Sequence, residues 1–395
     1  MGALDGIKVV DLSRVLAGPF CGQLLAENGA DVIKIEGPEG DLNRAFPHVL
    51  GDGDSTNFRS VNRGKRDITL NLKSKKARDL LDRLLADADI LIQSFLPPVA
   101  EKLGVGWDRI HRDFPDLIYV SISGYGAEGP LSNKPGYDTM VAAYSGVMSL
   151  TGEPDRPPVR LGVTAIDLAT GMLAYGGVTT ALMARERGRA RGQRVNVSLL
   201  ETGVTLLGFH GVGYLTTGEV DRREGAGYET LSPYGAYRAK DGEIMIGAPT
   251  QTMWLKACKA LGMEELVDDP RFTTNGLRCE HREELRTEIE LRLSTSTVAD
   301  WVEKLEQAGV ANSPINTIDR VLTDPQTLAN HMVVNCAAAD GSIQRLLGLP
   351  FKLTGTPGNP GSAPPRQGQH NRDVFCGDLG LSLEELEQLE TEGAI

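Results

Sequence analysis

The sequence is poor in cysteine and lacks the cysteine and histidine patterns that bind zinc. Its cysteines are odd in number, widely scattered and never spaced C-x-x-C, which disfavours a disulfide framework and a zinc ribbon. The six histidines never form an H-E-x-x-H motif, so the zinc hydrolase signature is also missing. We therefore expect reduced thiols and no metal site.

Long hydrophobic runs and positive charge are also scarce. No run approaches the roughly 20 residues that a spanning helix needs, and the first residues, MGALDGIKVVDL, carry no basic region or cleavage site of a signal peptide. The 41 Lys and Arg residues are outnumbered by 53 Asp and Glu residues, which gives a net charge of −12. Such an acidic chain disfavours nucleic-acid wrapping. We expect a cytoplasmic enzyme that binds neither a membrane nor nucleic acid.

The first half of the chain alternates strand and helix patterns. A β-rich run, a turn with Gly18-Pro19, a helical segment that stops at Gly29 and a second β-rich run form a β-α-β unit over 6–36. Parallel strands of this kind predict a sheet covered on both faces, with a ligand crevice where the first loop meets a helix N-terminus. The fold class is therefore α/β and Rossmann-like. Further strand or helix patterns follow at 68–72, 75–89, 90–95 and 117–126.

Changes in composition predict four parts of the chain. We expect a large domain over 1–200, a linker over 201–224, a small α+β domain over 225–320, and a C-terminal segment, 321–395, that returns to the large domain. The small domain is predicted from short strands around the turn at 240–242 and from helices at 252–262, 282–294 and 297–308. The stretch 355–370 is rich in Pro and Gly, which is typical of a segment that wraps over another surface.

Nine short blocks, in order, resemble the family III coenzyme A transferases of the CaiB/BaiF type. This family includes formyl-CoA transferase, the carnitine and bile-acid CoA transferases and the α-methylacyl-CoA racemases. The resemblance is nearest to the transferases that move CoA between succinyl-CoA and dicarboxylic acids such as glutarate. The blocks are GIKVVDLSRVLAGP (6–19), GADVIKIE (29–36), SVNRGKRDITLNLK (60–73), YVSISGYGAEGP (119–130), KPGYD (134–138), DLATG (167–171), the GRGQRV-like stretch 188–195, DPRFTTNGLR (269–278) and GQHNRDV (368–374).

The resemblance implies a CoA transferase that forms an interlocked homodimer. CoA thioesters would be its substrates, and no cofactor would be bound permanently. Three alternatives stay open: a racemase or isomerase of the same family, a CoA-binding protein without activity, and a dinucleotide-dependent oxidoreductase. The first loop lacks G-x-G-x-x-G, which disfavours the oxidoreductase. The chain also lacks the glycine-rich insert of formyl-CoA transferases, which argues against formate and oxalate as substrates.

Asp167 is the candidate nucleophile. On pattern alone, an Asp before a helix usually serves as an N-cap. The resemblance instead implies that Asp167 attacks the thioester, because a carboxylate forms a mixed anhydride that keeps the acyl group activated. The nearby Gly171, Gly176 and Gly177 permit close approach either of a ligand or of another helix.

Two further residues of the KPGYD block are candidates for the site. Asp138 corresponds to an acidic residue that lines the site in formyl-CoA transferases, although a helix-capping role is an equal alternative. Tyr137 is placed in the CoA site, at a position where racemases resemble G-H-D with a catalytic His. A phenol with a reference pKa near 10 is a poor base at neutral pH, so the tyrosine disfavours racemisation.

The phosphates of CoA require local positive charge. Residues 59–83 hold nine bases and three acids, and this basic cluster is a candidate phosphate site. Gly37 stands where the family often has a phosphate-binding Arg, so Lys34, Arg44 or Lys102 could substitute. Arg14 could hold the distal carboxylate of a dicarboxylic acid, or form a salt bridge to another loop. The CoA contacts that the resemblance implies are Leu16, Ala17, Leu70, Asn71, Leu72, Lys73, Ser94, Phe95, Leu96 and Lys102.

Overall fold

The computed structural model describes residues 2–51 and 54–395 and divides into two compact units. The first unit comprises residues 1–147, 160–216 and 325–395, and the second comprises 148–159 and 217–324. Within the described part of the chain, no helix is long and apolar enough to cross a membrane.

A parallel sheet forms the centre of the first unit. Its strands are β1 (Lys8–Asp11), β2 (Asp31–Glu36), β3 (Arg66–Thr69), β4 (Ile90–Gln93), β5 (Ile118–Ser123) and β6 (Arg194–Ser198). They lie in the order β3-β2-β1-β4-β5-β6, with every neighbouring pair parallel. The order reverses between β1 and β4, and ligands of such sheets bind at the carboxyl ends of the strands near this switch point. The predicted Rossmann-like α/β class is confirmed.

Nine helices lie in the described part of the first unit up to about residue 217, where the chain enters the second unit for the second time. Several have one apolar face, as in α3, where Leu81 and Leu85 are buried while Lys75 and Lys76 face solvent. Short 3-10 turns lie at Leu42–Ala45 and Val147–Leu150. The helices are α1 (Ala17–Glu27), α2 (Thr56–Val61), α3 (Lys75–Leu85), α4 (Pro97–Lys102), α5 (Trp107–Asp113), α6 (Asp138–Tyr144), α7 (Ala165–Glu186), α8 (Leu199–Leu206) and α9 (Gly208–Thr217).

The second unit is α+β. Three antiparallel strands, β7 (Tyr234–Arg238), β8 (Glu243–Gly247) and β9 (Ala311–Pro314), pack with helices around Trp254, Trp301 and Phe272. A 3-10 turn lies at Glu264–Val267. The helices are α10 (Gln251–Leu261), α11 (Asn275–Glu280), α12 (Arg282–Leu293), α13 (Val298–Gln307) and α14 (Ile318–Val321).

Residues 325–395 belong to the first unit. They contain α15 (Pro325–Ala329), the antiparallel pair β10 (Val333–Ala337) and β11 (Ile343–Leu347), a π-helical turn (Asp373–Asp378) and α16 (Leu383–Thr391). His370 Nδ1 and Asn371 Oδ1 accept the backbone N–H groups of Asp67 and Thr69, at 3.0 and 2.9 Å. The segment thus covers donors of the edge strand β3 that would otherwise be free to pair with another chain.

Two predicted boundaries differ from this division. The predicted linker, 201–224, contains most of α8 and all of α9. Its apolar residues have a helical spacing, which favours helices over a connector. Residues 148–159, predicted within the large domain, belong to the second unit, where the Gly225 N–H donates to the Gly152 carbonyl at 3.0 Å. Pairing between segments so far apart in sequence leaves no local signal.

Candidate active site

Asp167 lies in a cavity of about 270 Å³ in the first unit. Its carboxylate is mostly buried and accepts no hydrogen bond from the described residues. Burial and the neighbouring Asp138 carboxylate raise the pKa of Asp167 to about 7. We call this space the Asp167 cavity. The other predicted site residues that line it are Arg14, Leu16, Ala17, Ser94, Phe95, Leu96 and Tyr137.

Asp138 caps the helix that carries Asp167. Asp138 Oδ2 accepts the backbone N–H groups of Ile166 and Asp167 at 2.9 and 3.1 Å, while the N-cap residue itself, Thr164, makes no side-chain cap bond. Asp138 is buried, at the start of α6. Asp138 thus makes the contacts of a helix-capping residue, as one of the two alternatives predicted. Asp167 does not cap its own helix. The positive end of the helix dipole still lies beside both carboxylates.

The N-terminus of α1 opens into the same cavity. Leu16, Ala17 and Gly18 line the cavity, and their backbone N–H groups have no acceptor among the described residues. An uncapped helix N-terminus offers N–H donors and positive dipole charge to an anion. Sequence reasoning identified Leu16 and Ala17 but not these donors, and the turn Gly18-Pro19 at a helix start was the available signal.

Glycine brings the two helices together. A Cβ on Gly171 would lie 2.6 Å from the carbonyl oxygen of Ala17 and 3.1 Å from Phe20 Cβ, so only glycine permits this approach of α7 to α1. Gly171 lies one turn beyond Asp167, and the crossing therefore sets Asp167 beside the start of α1. A Cβ on Gly177 would lie 2.7 Å from Val195 Cγ1 of strand β6, whereas nothing lies within 4 Å of a Cβ on Gly176. The helix-packing alternative describes Gly171 and Gly177.

A second cavity adjoins the first and shares two of its residues, Arg14 and Phe95. We call it the Lys73 cavity. The predicted CoA contacts Leu70, Asn71, Leu72 and Lys73 line it together with Gly37. Lys102 is exposed at the end of α4 and lines neither cavity, although its neighbour Leu103 does. Most of the predicted CoA contacts are thus gathered along two adjoining cavities.

Arg14 lies where the two cavities meet. Its guanidinium stacks 5.5 Å from the Phe95 ring, and its backbone N–H donates to Ser94 Oγ at 3.1 Å. Among the described residues no carboxylate pairs with it, so the alternative of a salt bridge to another loop is not what the structure shows. The exposed guanidinium is available to an anionic group of a ligand.

The basic cluster of residues 59–83 is not a single positive surface. Of its nine bases, Lys73 alone lines the Lys73 cavity, and none lines the Asp167 cavity, as far as the described residues show. Arg78 and Arg83 donate to backbone carbonyls. The other six bases form ion pairs: Arg59 with Asp54, Arg63 with Glu27, Lys65 with Asp11, Arg66 with Asp31 and Asp378, Lys75 with Asp79, and Lys76 with Glu392. The prediction counted charges along the chain, whereas most of the neutralising partners are distant in sequence.

Two of the three bases suggested as substitutes at Gly37 are also committed elsewhere. Lys34 is buried against Asp41, and Arg44 is bound to Glu36, with Asp54 and Asp67 nearby. Neither can reach a phosphate without leaving these partners. Lys102, together with Lys73 and Arg14, keeps a side chain without a carboxylate partner among the described residues.

Comparisons with known proteins identify the family of the chain. The model of the family described as CoA-transferase family III matches residues 4–371. The chain is 38% identical to an acyl-CoA transferase of Fusarium pseudograminearum, covering 100% of this chain and 88% of that protein. It is 34% identical to the succinyl-CoA:glutarate CoA-transferase of Mus musculus, covering 100% and 91%.

A solved structure shares the whole architecture. A CaiB/BaiF family protein from Brucella suis is 34% identical, with a TM-score of 0.88 over 95% of this chain and 99% of that one. The fold, the site and these matches define an enzyme that handles CoA thioesters. The chain belongs to CoA-transferase family III, and it is a CoA transferase.

Proposed function

We propose that this enzyme moves CoA from an acyl-CoA, such as succinyl-CoA, to a small dicarboxylic acid, with Asp167 as the covalent nucleophile. The observation that carries the proposal is the carboxylate of Asp167, which has no hydrogen-bond donor and shares a cavity with the open N-terminus of α1. CoA is a substrate here, and no permanently bound cofactor is required.

The proposed reaction proceeds through two kinds of aspartyl intermediate. Asp167 attacks the thioester carbonyl, the C–S bond breaks, and an acyl-aspartyl anhydride and CoA thiolate form. The thiolate then attacks the aspartyl carbonyl of the anhydride, which releases the donor acid and leaves an aspartyl-CoA thioester. The acceptor carboxylate attacks this thioester, its C–S bond breaks, and a second anhydride, between Asp167 and the acceptor, forms with release of CoA thiolate. The thiolate attacks the acceptor's acyl carbon in this anhydride, which gives the new acyl-CoA and frees the Asp167 carboxylate.

The free N–H groups of Ala17 and Gly18 are suited to stabilise this chemistry. Each attack places negative charge on a carbonyl oxygen, and preorganised backbone donors stabilise such an oxyanion. Asp138 holds the first turn of α7 and so positions Asp167 without contacting the reacting atoms. This assigns Asp138 a positioning role and leaves Asp167 as the residue that forms covalent bonds.

Arg14 and the relatives support a dicarboxylic acid as acceptor. The guanidinium of Arg14 lines the Asp167 cavity and has no carboxylate partner in the described part of the chain, so it could bind a distal carboxylate in a bidentate manner. The name of the Mus musculus relative, succinyl-CoA:glutarate CoA-transferase, points to acids of this kind.

The racemase alternative receives no support from the site. Racemisation needs groups that remove and return an α-proton, and Tyr137, at the position of the racemase His, is 57% exposed at the start of α6. The relatives described above are named as transferases.

We propose a cytoplasmic, interlocked homodimer. None of the residues of α9 is buried, although the helix carries large apolar side chains. Exposed apolar surface of this kind is typical of a subunit interface. Subunits that exchange readily between tagged and untagged protein, without unfolding, would contradict interlocking. The exposed side chains are Phe209 (65%), Val212 (64%), Tyr214 (54%) and Leu215 (83%).

A panel of acyl-CoA donors crossed with carboxylic acids tests the proposed function, read by mass spectrometry of the CoA products. We expect the highest kcat/KM for a dicarboxylic acceptor and a large loss when one carboxyl is replaced by a methyl group. Arg14→Ala should narrow this difference, whereas Lys75→Ala, outside both cavities, should leave it unchanged. Equal rates with monocarboxylic acids would contradict the dicarboxylate assignment.

A further inference from the structure

Three side chains, of which Asp11 and Asp41 are buried, accept successive backbone N–H groups of the loop that leads into the Asp167 cavity. The N–H of Ser13 donates to Asp11 Oδ1 at 3.0 Å, that of Arg14 to Ser94 Oγ at 3.1 Å, and that of Val15 to Asp41 Oδ1 at 3.3 Å. The next three N–H groups, those of residues 16–18, have no acceptor among the described residues, and these three residues line the cavity. The loop therefore changes at Val15 from bound donors to open donors.

Val15 has an unusual backbone conformation at this change. Its φ is +69°, a left-handed value that strains a β-branched residue. Asp41 accepts its N–H, and Asn43 Nδ2 donates to its carbonyl oxygen at 2.6 Å, so both backbone polar groups are bound on the buried side. Such a conformation persists only where its surroundings enforce it.

The side chain that holds Val15 belongs to a buried ion pair. Lys34 Nζ lies 2.9 Å from Asp41 Oδ2, both side chains are 1% exposed, and Lys34 Nζ also donates to the Ser13 carbonyl at 3.1 Å. Although burial opposes the charge, Asp41, Asp11 and Glu36 raise the pKa of Lys34, so its ammonium stays charged. A buried pair is weak evidence for stability, because desolvation offsets much of the attraction.

We propose that Lys34 and Asp41 are positioning residues for the transfer reaction, which hold Val15 in its left-handed conformation and thereby aim the open N–H groups of residues 16–18 at the acyl group on Asp167. The inference rests on the proposed function, because it assigns those donors to the oxyanion. The sequence shows Lys34 in the β2 block DVIKIE and Asp41 in the loop after it. It does not show that both contact the loop about twenty residues earlier.

The experiment compares buried carboxylates at the two ends of α1. Asp41→Ala removes the acceptor of the Val15 N–H, and Asp41→Asn keeps an acceptor oxygen. Glu27→Ala is the matched control, since Glu27 is buried in an ion pair with Arg63 at the far end of α1. Each variant is assayed for kcat, for KM of acyl-CoA and for the single-turnover rate of Asp167 acylation, at a temperature where unfolding curves show it folded.

We expect Asp41→Ala to lower kcat and the acylation rate about 10- to 100-fold, as small displacements of catalytic groups do, with little change in KM. Asp41→Asn should recover most of the loss, and Glu27→Ala should keep the parent kcat. If Asp41→Ala does not fold, Asn43→Ala replaces it, because that change removes only the bond to the Val15 carbonyl.

The outcomes separate the inference from the proposed function. A kcat for Asp41→Ala, or for Asn43→Ala in its place, equal to that of Glu27→Ala would overturn the positioning role while the transferase assignment stood. A higher KM for acyl-CoA with an unchanged kcat would also overturn the positioning role. A parent enzyme that transfers CoA without acylating Asp167 would instead overturn the proposed mechanism, and with it the oxyanion that these residues serve.

Discussion

The two helices that meet beside Asp167 begin in opposite ways. The first turn of α7 is capped, because the buried carboxylate of Asp138 accepts two of its N–H groups. The first turn of α1 has no side-chain cap, and its residues Ala17 and Gly18 line the cavity. Helix ends without partners are costly when buried. In the proposed mechanism, the capped end of α7 holds Asp167 in place and the uncapped end of α1 receives the charge that forms during the reaction.

The largest expected effect concerns Asp167, which lies beside the starts of both helices. Asp167→Asn and Asp167→Ala should each lower transfer by about 10⁴-fold or more, because the covalent route is lost. Initial rates and unfolding curves of both variants check this, and both should fold. If Asp167 served only to support its helix, Asn would keep most of the activity; an active Asn variant would therefore remove this residue from the mechanism.

Protonation of Asp167 should give the next largest effect. With a pKa of about 7 in the free enzyme, kcat/KM should rise with pH up to about 7 and fall roughly 100-fold by pH 5, since only the carboxylate is nucleophilic. Asp138→Asn should move this profile to lower pH, because Asp138 raises the pKa of Asp167. A profile that is flat between pH 5 and 8 would contradict the account.

The same pKa predicts a stability difference with a definite sign. The folded protein binds the Asp167 proton more tightly than the unfolded chain, so the stabilisation present below pH 3.8 is lost as pH rises through about 7. The loss has an upper limit of about 4 kcal/mol. The free energy of unfolding of Asp167→Asn, measured with urea, should therefore increase relative to that of the parent when the pH is raised from 4 to 8. A difference in the free energy of unfolding between variant and parent that is the same at pH 4 and pH 8 would contradict the raised pKa of Asp167.

Separating the two helix ends should slow the reaction. Gly171→Ala places a Cβ 2.6 Å from the Ala17 carbonyl oxygen, so α7 must move away from α1. We expect about 10- to 100-fold lower kcat and a loss of about 1–3 kcal/mol in the free energy of unfolding. Gly176→Ala is the matched control on the same helix and should be neutral or stabilising by up to about 1 kcal/mol. Equal activity of the two variants would show that the crossing does not set the reaction geometry.

The smallest expected effect lies in the Lys73 cavity. Lys73→Glu should raise KM for acyl-CoA about 3- to 10-fold and more so at low salt, because the charge would contact CoA phosphates. Lys75→Glu reverses a neighbouring charge that is paired with Asp79 outside the cavity, and should change KM much less. If both variants raised KM equally, the effect would come from the overall positive charge of this region and not from a contact of Lys73 with CoA.

The comparison also separates what the sequence could predict from what it could not. The alternation of strands and helices, and the place of Asp167 at a helix start, follow from local periodicity and from the motifs. The capping of α7 by Asp138 and the pairing of Arg66 with Asp31 and Asp378 join residues far apart in sequence. Gly171 and Gly176 are alike in sequence, and only the position of α1 distinguishes them.

Chemical trapping tests the central claim most directly. The enzyme is incubated with acyl-CoA and hydroxylamine in the absence of an acceptor acid, and its peptides are analysed by mass spectrometry. The account predicts a hydroxamate on Asp167, absent from the Asp167→Asn variant and from enzyme treated without acyl-CoA. Unmodified Asp167 in an enzyme that transfers CoA, or a hydroxamate on another residue, would contradict the claim that this carboxylate carries the acyl group.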